Sequence, residues 1–299
     1  MHLVRYRAPG QPPRVGIRRE DAVTPVEAVT SMAELLALPY DELRATIESA
    51  ATSDESVPVE SLRLLPPLDG RAEVWCAGVT YERSKGARME ESSEQSVYDK
   101  VYSAERPELF LKSPAWRLTT DGEPVGIRAD SGHDVPEPEL TLVVNAHGSL
   151  VGYTVCNDMS SRSIEGENPL YIPQAKVFAG GCAIATGIRP VWEVADATDL
   201  AIRLVVRRDG TEAFTGETST RQLARSLSEL VDYLCRANDF PDGAALATGT
   251  GIVPELDFTL RPGDVVEIEI DEVGRLVNTV AVGKEPFAWL NDAAPENER

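Results

Sequence analysis

The sequence is poor in the residues that thiol and zinc chemistry require. Its 299 residues include four cysteines, at positions 76, 156, 182 and 235, and three histidines, His2, His133 and His147. No C-x-x-C pair occurs, which excludes the common zinc-ribbon and dithiol redox motifs. The cysteines read as scattered core thiols of a reducing compartment, not as a disulfide framework. The histidines show no zinc-binding spacing, although His133 precedes Glu137 closely enough to be a candidate neighbour of a site there. No apolar run approaches the length of a membrane span. The opening MHLVRYRAPG lacks the pattern of a signal peptide, so a cytoplasmic protein is expected. Positive charge is scarce too: 29 Lys and Arg face 49 Asp and Glu, a formal net charge of −20. That balance argues against nucleic acid and anionic membrane as partners. It fits high solubility, and it fits a salt-rich setting equally well.

What the chain has instead is carboxylate, and one stretch concentrates it. Asp134 to Lys176 reads DVPEPELTLVVNAHGSLVGYTVCNDMSSRSIEGENPLYIPQAK. Glu137 and Glu139 stand at the entry to the apolar run Leu140–Val144. Residues i and i+2 of a strand share a face, so both carboxylates leave one side. NAHGSL reads as a hairpin turn with Asn145 and Gly148 as its turn residues. The return strand Val151–Val155 leads into Asn157 and Asp158, which brings Asp158 back beside the glutamate pair. Three carboxylates so close repel one another unless a cation lies between them. Oxygen donors of this kind suit Mg²⁺, Mn²⁺ or Ca²⁺. The competing reading is a solvated acidic strand end.

The rest of the chain supplies context. Residues 1–65 read as a small separate α/β module: HLVRYR and RVGIRR as strands, and SMAELLALPYDELRATIESAA as helix, with Ser31 and Glu34 as a capping box. VWCAGV reads as a buried strand. The charged segment 84–99 reads as a lid that orders over a ligand or as a solvated helix, and Arg83 and Lys85 are candidate clamps for a substrate carboxylate. LFL is a short strand ending at Lys112, where a side chain reaching solvent is one reading. WRLTTDGEPVGI is hairpin-like. LAIRLVVRRDGTEAFTGET predicts a hairpin turning at Asp209-Gly210. SLSELVDYLCRAN predicts an amphipathic helix with Leu227, Leu230, Val231 and Leu234 facing the core. TGTG carries no P-loop lysine after it and is weak evidence of phosphate binding. The alternation Glu267, Glu269, Asp271 predicts a solvent face. Residues 291–299 read as a polar tail. Many short strands with few helices give an α+β fold: a β-rich domain over residues 70–290, its sheet rolled into a barrel-like core, behind the N-terminal module.

RPELFLKSP, PEPEL, GYTVCNDMSSRSIEGENPLYIPQAK and TGTGIVP together resemble the fumarylacetoacetate hydrolase family, across most of the chain. The resemblance implies that Glu137, Glu139 and Asp158 bind the divalent metal, with Arg162 closing the motif and supporting it. It implies that Lys176 points into the pocket beside the metal, that Thr250 reaches the substrate, and that Lys112 and Tyr81 border the substrate site. EGENPLYIPQAK is most similar to the 2-keto-3-deoxy-D-arabinonate dehydratase branch. Ser84 stands where C–C hydrolases of the family often carry a histidine, which weakens the hydrolase reading. The implied chemistry is dehydration of a 2-keto-3-deoxy sugar acid through a metal-stabilised enolate. Lys176 or a metal-bound hydroxide removes the C3 proton, Lys176 otherwise holding the substrate carboxylate or stabilising the enolate, and Glu165 or Glu167 protonates the departing hydroxyl. Alternatives are C–C hydrolysis of an acylpyruvate or fumarylacetoacetate-like acid, oxaloacetate decarboxylation, and a non-catalytic metal or ligand binder of the same fold. The family also implies a homodimer or homotetramer.

Overall fold

The structure, a computed structural model, describes residues 1–91 and 95–291. The polar tail, from 292 onward, lies outside the described residues. So do residues 92–94 of the expected lid.

Two sheets carry the molecule. The larger has twelve strands. From one edge its main path runs Val57–Pro58, Ala22–Pro25, Arg14–Arg19, His2–Arg7, Gly187–Pro190, Leu150–Asp158, Pro138–Val144, Ala244–Ala247, Glu73–Gly78 and Glu108–Pro114. Arg63–Leu65 and Cys182–Ile184 branch from it. The second sheet orders Thr211–Ser219, Ala201–Arg208, Val265–Ile270, Gly274–Val282 and Val125–Ile127. Strands and helices together make the α+β class expected.

The strand Pro138–Val144 shows how the layers arise. Every residue in it is buried, because both faces of the sheet are covered. Leu140, Leu142 and Val144 pack with Ile202, Leu204, Val206, Val266 and Ile268 of the second sheet. Val143 points the other way and joins Val74, Cys76, Cys156, Ala245 and the helical residues Met32, Leu35, Leu43 and Ile47. The period of two residues sorts one strand into two cores.

The first 65 residues are hydrogen-bonded into this larger sheet. His2–Arg7 pairs antiparallel with Gly187–Pro190 as well as with Arg14–Arg19. Their helical run is also interrupted. It forms Met32–Leu36 and Tyr40–Ala50, because Pro39 lacks an amide hydrogen and disfavours helical geometry in the residue before it. Ser31 caps the first piece through the Glu34 amide at 3.1 Å, but the Glu34 carboxylate turns to the Thr30 amide at 2.7 Å. The hairpin expected in WRLTTDGEPVGI does not form among the described residues. Val125–Ile127 instead runs parallel to Gly274–Val282, and the preceding turn is tied to that strand by Gly122 N–H on the Val277 carbonyl and Asp121 on the Val277 amide. The Asp209-Gly210 hairpin and the helix Leu227–Cys235 form as expected.

Candidate metal centre

Strand register brings the three carboxylates together. Pro138 faces Asn157 and Glu139 faces Cys156. The Asp158 amide donates to the Glu137 carbonyl at 2.9 Å, so Glu137 lies across from Asp158. Directly opposed residues share a sheet face, and Asp158 follows Cys156 by two. Glu137, Glu139 and Asp158 therefore leave the same face, and one ligand oxygen of each lies within 4.8 Å of the others. The turn that fixes this register is the expected one. Asn145 Oδ1 accepts from the His147 and Ser149 amides, and Gly148 takes a φ of 71°.

All three carboxylates are buried, and each has partners. Arg162 donates to Glu137 Oε1 at 2.8 Å. Lys176 Nζ donates to Glu137 Oε2 at 2.8 Å and to Asp158 Oδ2 at 3.0 Å. The Gly249 amide donates to Glu139 Oε2 at 2.7 Å. Lys112 Nζ lies 2.5 Å from Asp158 Oδ1. Burial is the main reason that the Glu139 carboxyl is pushed well above the ordinary carboxylate range, and the charges of Asp158 and Glu137 add to it. Lys176 and the Gly249 amide pull the other way without cancelling the rise. A divalent cation relieves this repulsion. Three hard oxygen donors gathered on one sheet face fit Mg²⁺.

The carboxylates line a small cleft. Glu165, Lys176, Thr250 and Ser84 also line it, with Phe110 and Ile172 as apolar walls. Glu165 is buried on the short helix Arg162–Glu167, whose first turn Ser161 caps. Glu167 on the same helix is exposed and is not in the cleft lining. Ser84 spends its hydroxyl locally, donating to the Tyr81 carbonyl at 2.8 Å.

Several candidates lie elsewhere. Arg83 pairs with Glu255 at 2.7 Å on the surface, and Lys85 pairs with Glu82 at 3.1 Å. Neither residue lines the cleft. Both lie on the helix Glu82–Glu91, which turns Ser84 inward and leaves Arg83 exposed. Tyr81 is buried, and its hydroxyl has no hydrogen-bond partner among the described residues; burial, with Glu139 second, pushes its phenol up. His133 is turned away from the carboxylates: its Nε2 donates to the Phe258 carbonyl at 2.9 Å, and its carbonyl receives the Arg162 amide. Lys112 does not reach solvent. Its side chain is fully enclosed.

One lining residue went unnoticed in the sequence. Glu108 stands opposite Gly78 and lies over it. A Cβ at position 78 would sit 2.0 Å from Glu108 Oε2, so a larger residue there would have to displace this carboxylate. The signal was the pairing of a glycine with an acid across two strands, which a linear reading does not reveal.

The fold and its buried carboxylate cluster define a class of metal-dependent enzymes with α+β architecture. Within that class, residues 73–281 match the family model described as "Fumarylacetoacetate (FAA) hydrolase C-terminal", and the chain belongs to this family. It is 47% identical over 214 residues to a Haloferax volcanii protein named "Probable 2-keto-3-deoxyxylonate dehydratase", covering 72% of this chain and 73% of that one. It is 39% identical over 230 residues to the 2-dehydro-3-deoxy-D-arabinonate dehydratase of Saccharolobus solfataricus, covering 76% and 77%. A solved 2-keto-3-deoxy-D-arabinonate dehydratase, complexed with magnesium and 2,5-dioxopentanoate, superposes with a TM-score of 0.81 at 32% identity, over 95% of this chain and 100% of that chain.

Proposed function

We propose that this protein is a Mg²⁺-dependent hydro-lyase that removes water from a 2-keto-3-deoxy sugar acid of the arabinonate or xylonate type. One observation carries the reading: three buried carboxylates share a sheet face with a buried lysine between two of them and further carboxyl groups across the same cleft. The dehydratase relatives support it. Glu137, Glu139 and Asp158 hold the cation, with Mn²⁺ and Ca²⁺ as alternative occupants. When bound, the cation supplies a Lewis-acidic charge that makes the hydrogens beside a 2-keto group easier to remove.

The chain's own residues handle the protons. Lys176 takes the C3 proton, and the ammonium it becomes is held between Glu137 and Asp158 as seen here. Glu165 delivers a proton to the C4 hydroxyl as it leaves. Glu108 is a second carboxyl within the same cleft. Thr250 borders the substrate, and Phe110 and Ile172 keep bulk water from the reacting atoms. Loss of a C3 hydrogen and the C4 hydroxyl is one water, and tautomerisation leaves a second carbonyl. Hydrolysis needs an activated water, and Ser84, engaged with the Tyr81 backbone, is no base for it.

The two packed sheets are read as a rolled, barrel-like scaffold over residues 70–290, with residues 1–65 as its packing partner. A homodimer or homotetramer is supported by the edge strand Glu108–Pro114, beside which Leu111 and Trp116 are exposed. A cytoplasmic setting is supported by the four free thiols.

Mass spectrometry tests the activity. Purified protein with Mg²⁺ is offered 2-keto-3-deoxy pentonates and hexonates, and separately acylpyruvates and oxaloacetate. Loss of one water from a sugar acid, abolished by EDTA and restored by Mg²⁺, is expected. Pyruvate with a second acid, and no dehydration, would overturn the reading.

A further inference from the structure

Lys112 is built into the site from behind. In the pairing of Glu73–Gly78 with Glu108–Pro114, Trp75 faces Leu111 and Val74 faces Ser113. Lys112 is the residue left over, the extra member of a β-bulge. Bulges bend a strand and re-aim a side chain. Here the bulge turns Leu111 outward, 40% exposed, and Lys112 inward, 1% exposed.

The buried ammonium meets four groups. It lies 2.5 Å from Asp158 Oδ1. It donates to the Met159 carbonyl at 2.8 Å and to the backbone carbonyl of Lys176. The Phe178 ring covers it, with its centroid 5.4 Å away. Lys112 is absent from the cleft lining, and its side chain is enclosed. What it touches is the machinery: a metal-binding carboxylate, the residue after it, and the main chain that carries Lys176.

We propose that Lys112 is a positioning residue, not a substrate clamp: its buried ammonium fixes Asp158 relative to the backbone of Lys176. This rests on the reading of Asp158 as a metal ligand and Lys176 as the proton acceptor. An ammonium with three donors suits the role, since it ties three acceptors on separate elements to one point. A buried cation also offsets carboxylate charge when no metal is present.

The test compares Lys112→Met with wild type by steady-state kinetics on the dehydrated sugar acid and by thermal melts with and without Mg²⁺. A partner that orients a metal ligand is worth about 10–100-fold in activity or metal affinity. The variant is expected to lose about 10–100-fold in kcat, with KM within about threefold of wild type. Its Mg²⁺-induced rise in Tm should exceed that of wild type, because its metal-free form has lost a countercharge. A raised KM with kcat and the Mg²⁺ increment unchanged would overturn the proposal in favour of a clamp. No Mg²⁺ increment in wild type itself would overturn both this inference and the metal assignment beneath it.

Amine acetylation of the native wild-type protein, mapped by mass spectrometry, keeps the proposal open to refutation if the variant does not fold. Lys112 should stay unmodified with and without substrate. Labelling of Lys112 that substrate suppresses would show a clamp.

Discussion

At the scale of single residues, the proposed function gives Glu139 and Lys176 different tasks, one as metal ligand and the other as base. Burial and its neighbours oppose the charge of Glu139, so it gains from a cation. Lys176 touches two carboxylates but offers no electron pair to a metal while protonated. Glu139→Gln should therefore abolish the Mg²⁺-induced rise in Tm together with activity. Lys176→Met should keep that rise and lose about 10²–10⁴-fold in kcat. Differential scanning fluorimetry with and without Mg²⁺, alongside kinetics, separates the two. Loss of the Mg²⁺ effect in both variants would contradict the division. The positions of Glu137, Glu139 and Asp158 were legible in sequence because strand periodicity and a hairpin are local rules. Lys112 was not, because a bulge is a property of two strands distant in sequence. Arg83 was misleading for the opposite reason: helical geometry, which turns adjacent residues to different sides, sends it to Glu255 while Ser84 faces the cleft.

At the scale of elements, the first strand is the joint between layers. His2–Arg7 pairs with the strand Gly187–Pro190 of the larger sheet, and His2 Nε2 donates to the Val273 carbonyl at 2.8 Å, beside the start of a second-sheet strand. Burial lowers the His2 pKa below its ordinary 6.5, and the nearby charges of Arg189, the amino terminus and Arg18 act in the same direction, against the Val273 hydrogen bond. A histidine whose folded value lies below its unfolded one gives stability that is present above the unfolded value. That stability is lost as pH falls through the folded one. Urea unfolding should thus show wild type losing stability between neutral and mildly acidic buffer, and His2→Gln losing less. An equal loss in both would exclude His2 as the source. The strands themselves were readable from alternation, as were the Asp209-Gly210 hairpin and the helix Leu227–Cys235. The sheet order was not. Residues 1–65 read as a separate module because nothing local announces that His2–Arg7 will pair with residues 187–190. The false hairpin before Val125 has the same origin, since its partner strand lies about 150 residues later.

At the scale of the whole molecule, charge dominates. The chain carries a formal net charge of −20, while several of its surface ion pairs lie on the second sheet, as in Arg203 with Asp271 and Arg207 with Glu267. Exposed pairs contribute about 0–1 kcal/mol each and weaken with salt. Repulsion among the excess carboxylates weakens with salt as well. With so large an excess of one sign, the repulsion outweighs the pairs, so added NaCl should raise Tm. A fall in Tm would mean that the ion pairs outweigh the repulsion. The acidity that argues against nucleic acid as a partner is also what suits the cleft to a divalent cation.

Anomalous diffraction from crystals grown with Mn²⁺ and soaked with a small 2-keto acid tests the central claim most directly. One Mn²⁺ peak is expected, bound by Glu137, Glu139 and Asp158, with the carboxylate and ketone oxygens of the ligand completing its shell and Lys176 within reach of C3. A peak elsewhere, or a 2-keto acid bound away from the metal, would contradict it.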